Sequence, residues 1–267
     1  MTEEAYFRAE GDAYFANPIS AGPWRAQSLM GRCVSGLLGF EIERRHLDSG
    51  FVPARFTVEL YDLADFSAIT VETRLLRDGG RARLVEAELF CGGRSRARAS
   101  CQILRHTEEP GGKVWSAPDW DAPPPDQLAD DPTRSKWHLR VAAGGMGHVG
   151  LKRAWMKDYR QLVAGVPLSP FGQAALGADF TSPFSNSGDR GVEYINTEAT
   201  LYLHRLPEQG WLGFEVTDHQ STAGVAIGQT RIYDQRGPIG FGSTAALAQR
   251  RPALTDPNAG AMAGSTG

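Results

Sequence analysis

The chain reads as an α+β protein built from two tandem units, each one helix followed by antiparallel strands. Helical spacing of apolar residues occurs once in each half, and period-2 alternation dominates the sequence that follows each helix. Turn signals such as Asp78-Gly79-Gly80 and Gly92-Gly93 separate the alternating runs at hairpin distances. With 267 residues, 41% hydrophobic and 22% charged, the composition is that of an ordinary soluble globular protein. A chain of this length buries roughly 70–75% of its unfolded surface, enough for one or two cores.

In the first half, Ser28–Arg45 (SLMGRCVSGLLGFEIERR) places Leu29, Cys33, Leu37, Phe40 and Ile42 at helical spacing, after a turn-rich Gly22-Pro23-Trp24. Strands are predicted at Ala54–Leu63, Ala68–Arg77, Arg83–Phe90 and Ala97–Leu104, each rich in Val, Ile, Thr or Leu. The second half repeats the order. Gly165–Phe184 contains a helix with Ser169 as N-cap and Pro170 at its first position, where a missing N–H costs nothing. Strands follow at Ile195–His204, Gly213–Thr217, Ala226–Asp234 and Gly240–Ala248, with turns at Glu208-Gln209-Gly210 and Gln235-Arg236-Gly237-Pro238.

Between the halves, His106–Trp137 is rich in Pro, Asp and Gly and too polar for a core element, so it reads as a linker. The division is therefore 1–105, a linker at 106–137, and 138–250, with a small, polar tail at 251–267 expected to be disordered. A structural period of about 140 residues marks duplication of a domain rather than a solenoid repeat. Two helix-plus-sheet units can join edge to edge into one continuous sheet, the arrangement called a double hot-dog, which removes two exposed edges. Its remaining edges and open sheet face predict a homodimer or higher homo-oligomer.

Composition and motifs exclude several functions. Lys+Arg 28 against Asp+Glu 31 gives a net charge of -3, which argues against a nucleic-acid partner needing a basic surface. Three cysteines, an acidic Met-Thr-Glu-Glu start and apolar runs far short of ~20 residues predict a cytoplasmic protein with no membrane span. The six histidines show no metal-ligand spacing, so neither metal nor cofactor is expected. Gly144-Gly145-Met146-Gly147-His148-Val149-Gly150 lacks the Lys-Ser/Thr of a phosphate loop and reads as a flexible hairpin. No Gly-x-Ser-x-Gly elbow offers a serine nucleophile. Trp24 and Trp155 are expected in the core, with the lining of a tunnel as the alternative.

The order and spacing of several segments carry a resemblance. They are GPW, a helix and PARFTVELYDLADFSAITVETRLLRDGGRARLVEAELFCGGRSRARASCQILR in the first half. In the second they are RAWMKDYRQLVAGVPLSPFGQAALGADF, YINTEATLYLHRLPEQGWLGFEV and IYDQRGPIGFGSTAALAQRR. From about Ala5 to Arg251 the chain resembles acyl-CoA thioesterase II-like proteins of the double hot-dog type. The resemblance implies hydrolysis of acyl-CoA, or another acyl thioester, by an activated water held by an Asp, a Thr and a Gln. Those positions fall on Asp179, Asn196 and Thr244, so only the Asp is kept. Asp179 is then the expected general base; otherwise it lies on the exposed stripe of its helix. Asn196 can still orient water, because an amide both accepts and donates. Thr244 is shorter than Gln and lacks its NH2 donors; the bland reading makes both strand residues satisfied locally.

Related proteins often carry His-Gly-Gly at the first helix, where backbone amides can face the thioester carbonyl. Here Met30-Gly31-Arg32 stands instead. Arg32 is expected to be a solvated helix arginine, with a CoA phosphate as its alternative partner. The leading function is an acyl-CoA thioesterase-like hydrolase; the alternative is a catalytically weak or inactive acyl-thioester binding protein of the same fold. A hydratase of the same fold would need a His, and none follows Asn17-Pro18.

Overall fold

In the computed structural model, which describes residues 4–25, 27–132 and 136–249, two helix-and-sheet units share one sheet. The first opens with a hairpin, β1 (Phe7–Glu10) and β2 (Ala13–Ala16), and continues through α1 (Gly31–His46). Then come β3 (Phe51–Glu59), β4 (Ile69–Asp78), β5 (Ala82–Cys91) and β6 (Arg94–Arg105). The second opens with a hairpin too, β7 (His138–Ala143) and β8 (Arg153–Lys157). Helices α2 (Pro170–Ala178) and α3 (Thr181–Ser185) follow, with a small ribbon of β9 (Ser187–Gly188) and β10 (Gly191–Val192). The remaining strands are β11 (Tyr194–Asn196), β12 (Glu198–Leu203), β13 (Leu212–Thr222), β14 (Val225–Asp234) and β15 (Gly237–Ala248).

Among the described residues the main sheet has 13 strands in the order β1-β2-β4-β5-β6-β3-β12-β15-β14-β13-β8-β7, with β11 also on β15. Read from either end, the order visits equivalent elements: hairpin, second, third, fourth and first strand after the helix. The duplication is therefore real at the level of topology, and the fold is an α+β double hot-dog. Its centre is the antiparallel pair β3–β12, with Phe56 opposite Leu201 and Thr57 opposite Thr200.

Several boundaries differ from the sequence reading. Helix α1 starts at Gly31 rather than Ser28, because Ser28 and Leu29 form isolated bridges to Asp65 and Ala21. Ile195–His204 splits at Thr197 into β11 and β12, and β13 continues past Thr217 to Thr222 through a bulge. The leading hairpin of the first unit was not anticipated, and the strands of the second were signalled only by their glycine-rich turn, since these strands are short and interrupted by charge. The glycine-rich segment 144–150 joins β7 to β8.

The described part of the His106–Trp137 segment contains one 3-10 turn, Pro125–Gln127, and no helix passing between the units. It lies over the second unit's sheet on the side away from the helices. There Trp120 stacks on Tyr233 with ring centroids 4.2 Å apart and meets Trp155 edge-on at 5.0 Å, while Arg231 donates to the Ala117 and Pro118 carbonyls. Trp155 is thus buried beneath this segment, neither in the helix-side core nor in a tunnel, and Trp24 is half-buried. The tail from 251 lies outside the described residues. No helix among the described residues is long and apolar enough to cross a membrane.

The core fills the space between the sheet and the two helices, with Leu37, Leu38, Ile42, Phe56, Phe171, Leu176 and Phe214 almost wholly buried. Interdigitation of α1 with α2 depends on small residues. A Cβ on Gly39 would come within 2.6 Å of the Ala175 Cβ, and one on Gly36 within 2.8 Å of Leu176. The Ala175 methyl at Gly39 cannot swing away, since it has no side-chain torsion. Gly39→Ala gains up to ~1 kcal/mol of helix propensity but forces the helices apart, at a cost typically of 1–3 kcal/mol. The net expectation is a lower midpoint in urea denaturation; an unchanged or higher midpoint would show that the crossing has slack.

Candidate active site

Helix α2 begins as its sequence dictates: Ser169 accepts a hydrogen bond from the Gly172 N–H at 2.9 Å, and Pro170 occupies the first turn. Its side chains from Phe171 to Ala178 are all buried, so the helix has no exposed stripe. It ends at Asp179, which is still in helical conformation. A carboxylate there faces the negative end of its own helix dipole, an unfavourable position taken alone.

The compensation comes from the other unit. Helix α1 starts after Met30, which supplies no side-chain cap, leaving first-turn amides without partners from its own chain segment. The Asp179 carboxylate lies against the start of α1 from across the interface between units, where the Arg32 backbone N–H helps keep it ionised. Contact is close: a Cβ on Gly31 would lie 2.9 Å from both carboxylate oxygens, so only glycine fits. Asn196, at the end of β11, donates from Nδ2 to Asp179 Oδ1 at 2.9 Å. Burial raises the Asp179 pKa, while the Asn196 bond, the Arg32 charge and the Arg32 N–H pull it back.

Thr244 reaches the same group of contacts indirectly. Its hydroxyl donates to the Glu198 carbonyl at 2.8 Å, and Asn196 Nδ2 approaches that carbonyl at 3.4 Å. All three predicted site residues thus lie on one hydrogen-bonded path, from Asp179 through Asn196 and the Glu198 carbonyl to Thr244. The Thr244 hydrogen is already committed, so this side chain presents lone pairs rather than a donor.

Arg32 contradicts both expectations for it. It is 4% exposed, and its guanidinium bonds Asp158 at 2.6 Å and the Tyr6 hydroxyl at 3.3 Å, while lying 4.3 Å over the Trp137 ring. Tyr6 also donates to Asp158 at 3.1 Å. The arginine is neither solvated nor open to a phosphate; it ties α1 to the end of β8 through a buried ion pair. Removing one partner of such a pair leaves an uncompensated charge, which is strongly destabilising.

Sequence reasoning missed Asp158 and Glu198. Asp158 lies 126 positions from Arg32 and has no local signal. Glu198 had one: it is an acid in an otherwise apolar and Thr-rich strand.

Comparison with known proteins agrees with this architecture. Residues 114–243 match the acyl-CoA thioesterase C-terminal domain family. A hot dog fold protein of unknown function from Alicyclobacillus acidocaldarius is 14% identical, with TM-score 0.71 over 92% of this chain and 96% of that one. The TesB protein of Mycobacterium avium subspecies paratuberculosis is 14% identical, with TM-score 0.69 over 91% and 96%. Acyl-CoA thioesterase II TesB2 of Mycobacterium marinum is 15% identical, with TM-score 0.62 over 91% and 95%. No curated protein matches the chain by sequence. Residues 114–243 are thus similar to the acyl-CoA thioesterase C-terminal domain family, and the solved structures share the fold of the whole chain.

The Asn196 bond is the side-chain contact that holds the Asp179 carboxylate in its ionised form. Asn196→Ala removes it, and a hydrogen bond to a charged group is worth about 1.5–3 kcal/mol. The Asp179 carboxyl should therefore titrate at least about one pH unit higher, read by NMR of 13C-labelled aspartate. An unmoved titration would mean that Asn196 does not bond the carboxylate in solution.

Proposed function

We propose that this protein hydrolyses acyl thioesters, with acyl-CoA as the substrate class, by water attack assisted by Asp179. The observation that carries the reading is a desolvated carboxylate placed against the first-turn amides of a long helix, with an amide donor fixing its orientation. A carboxylate has about four acceptor positions. Asn196 takes one, leaving capacity for a water. In our reading Asn196 orients that water, and Asp179 takes its proton as the oxygen attacks the thioester carbonyl carbon.

The carbonyl π electrons move to oxygen, and the Gly31 N–H at the α1 terminus is the donor we assign to the resulting oxyanion. Collapse of this intermediate breaks the C–S bond. The thiolate recovers the proton from Asp179, giving a free acid and a free thiol. Thr244 supports the site through the Glu198 carbonyl rather than through the donor its Gln counterpart would supply. The exposed face around Val225 and Ile227 is the surface we assign to a symmetric partner.

The rival reading, acyl-thioester binding without turnover, has one observation in its favour: the Thr244 hydrogen is occupied. Loss of one oxyanion donor typically costs about 10²–10³ in rate, which would leave a slow enzyme rather than none.

The test is thiol release from a panel of acyl-CoAs. Wild type should release thiol above background, and Asp179→Asn should lower kcat by a factor on the order of 10²–10⁴ with little change in binding. Asn keeps the side-chain size and an acceptor oxygen toward the start of α1. Because the base acts when ionised and burial raises its pKa, kcat/KM should rise with pH along an acid limb lying above the ordinary aspartate range. Acyl-CoA binding with no thiol release would establish the rival.

A further inference from the structure

Glu198 joins the groups around the candidate site more completely than any residue the sequence singled out. It is the first residue of β12, where the paired segment β11–β12 breaks after Asn196 and the sheet passes from one unit to the other. Its main-chain carbonyl accepts from Thr244 Oγ1 at 2.8 Å and from Asn196 Nδ2 at 3.4 Å. Its carboxylate accepts the Ala245 N–H at 2.6 Å through Oε1, and the Thr200 hydroxyl at 2.9 Å through Oε2. A side-chain oxygen thus bonds the amide next to Thr244 at the strand break. Ala245 in turn gives its own carbonyl to the Thr197 N–H at 3.0 Å, so the clamp closes around the residue following Asn196.

The side chain lies on the face of the sheet away from the helices. Ala199, Leu201 and Leu203 alternate with it toward the core, and it lines a shallow cavity of about 270 Å³ with Gln229, Ser243 and Ala245. Glu59 stands directly across on β3 and is held by Arg98 at 2.7 Å. Two carboxylates facing each other across a ladder are destabilising unless something offsets them. Here the amide and hydroxyl bonds to Glu198 and the arginine on Glu59 do so.

We infer that Glu198 is a positioning residue for the reaction proposed above: its carboxylate clamps Ala245, and its carbonyl thereby holds Asn196 and Thr244 in place against Asp179. The inference rests on that reading for its kinetic consequence but not for its structural one. Nothing in it requires the carboxylate to touch substrate, since it points to the opposite face of the sheet.

The experiment pairs kinetics with a titration that needs no turnover. Glu198→Ala removes the clamp, and Glu198→Asp, the milder change, draws the carboxylate back by one methylene while keeping its charge. Both should lower kcat on acyl-CoA by about 10–100-fold, the range for a small misplacement, with KM nearly unchanged. Glu198→Gln keeps an oxygen for the Ala245 N–H and should recover most of the lost kcat. In parallel, the Asp179 carboxyl should titrate about one pH unit higher in the Ala and Asp variants, as the Asn196 bond loosens. A kcat within twofold of wild type in Glu198→Asp, or no recovery in Glu198→Gln, would overturn the inference while leaving thioester hydrolysis standing. If wild type proves inactive, the hydrolase reading fails, and the Asp179 titration alone decides this inference: a shift supports the clamp and an unmoved value refutes it.

Discussion

The pairing of β3 with β12 is the constraint on which the rest of the molecule depends. It turns two helix-and-sheet units into one sheet and puts both helices on the same side of it. Only then can the C-terminal end of α2 meet the N-terminal end of α1. Separately, each end has an electrostatic fault: a carboxylate at the negative end of one helix, uncapped amides at the positive end of the other. Joined, the two faults cancel, and the carboxylate that results is desolvated, oriented and close to backbone donors. The site is thus a product of assembly between halves and cannot exist in either half alone.

Packing enforces that meeting. Gly31 lets the carboxylate approach α1, and Gly36 and Gly39 let α1 lie against α2. The buried Arg32–Asp158 pair, with Tyr6 and Trp137 around it, fixes the start of α1 relative to β8. Its desolvation penalty is large, so it is better understood as specifying one position for the helix terminus than as a net source of stability. The same charge also helps keep Asp179 ionised. One residue therefore locates the helix end and tunes the carboxylate that lies against it.

Much of this was legible in the sequence. Periodicity located α1, α2 and the long strands of both halves, because each is long and has one face toward the core. Ser169-Pro170 marked the start of α2 through cap chemistry that is wholly local. The first leading hairpin was not legible and the second only through its glycine-rich turn at 144–150, since four- to six-residue strands carrying charge give little alternation. Asp179, Asn196 and Thr244 were mapped by position from the family resemblance, and they prove to be linked by hydrogen bonds. What could not be found by position were contacts that ignore sequence distance. Arg32 carries the same letter whether solvated or paired, and only its tertiary partner Asp158 decides. Likewise Trp155 gives no sign of which sheet face it occupies, and Glu198 acts partly through a carbonyl that every residue has.

In the reaction proposed above Asp179 activates water rather than attacking the thioester itself, and single-turnover hydrolysis in H2(18)O separates the two. With enzyme in excess over acyl-CoA, direct water attack puts one 18O into the released fatty acid and leaves Asp179 unlabelled. Attack by the carboxylate would pass through an acyl-aspartyl anhydride, and its hydrolysis at the aspartyl carbonyl would place the label in Asp179. Mass spectrometry of the acid and of the peptide containing Asp179 reads both products. Label in the acid alone is the predicted result; label in Asp179 would contradict it.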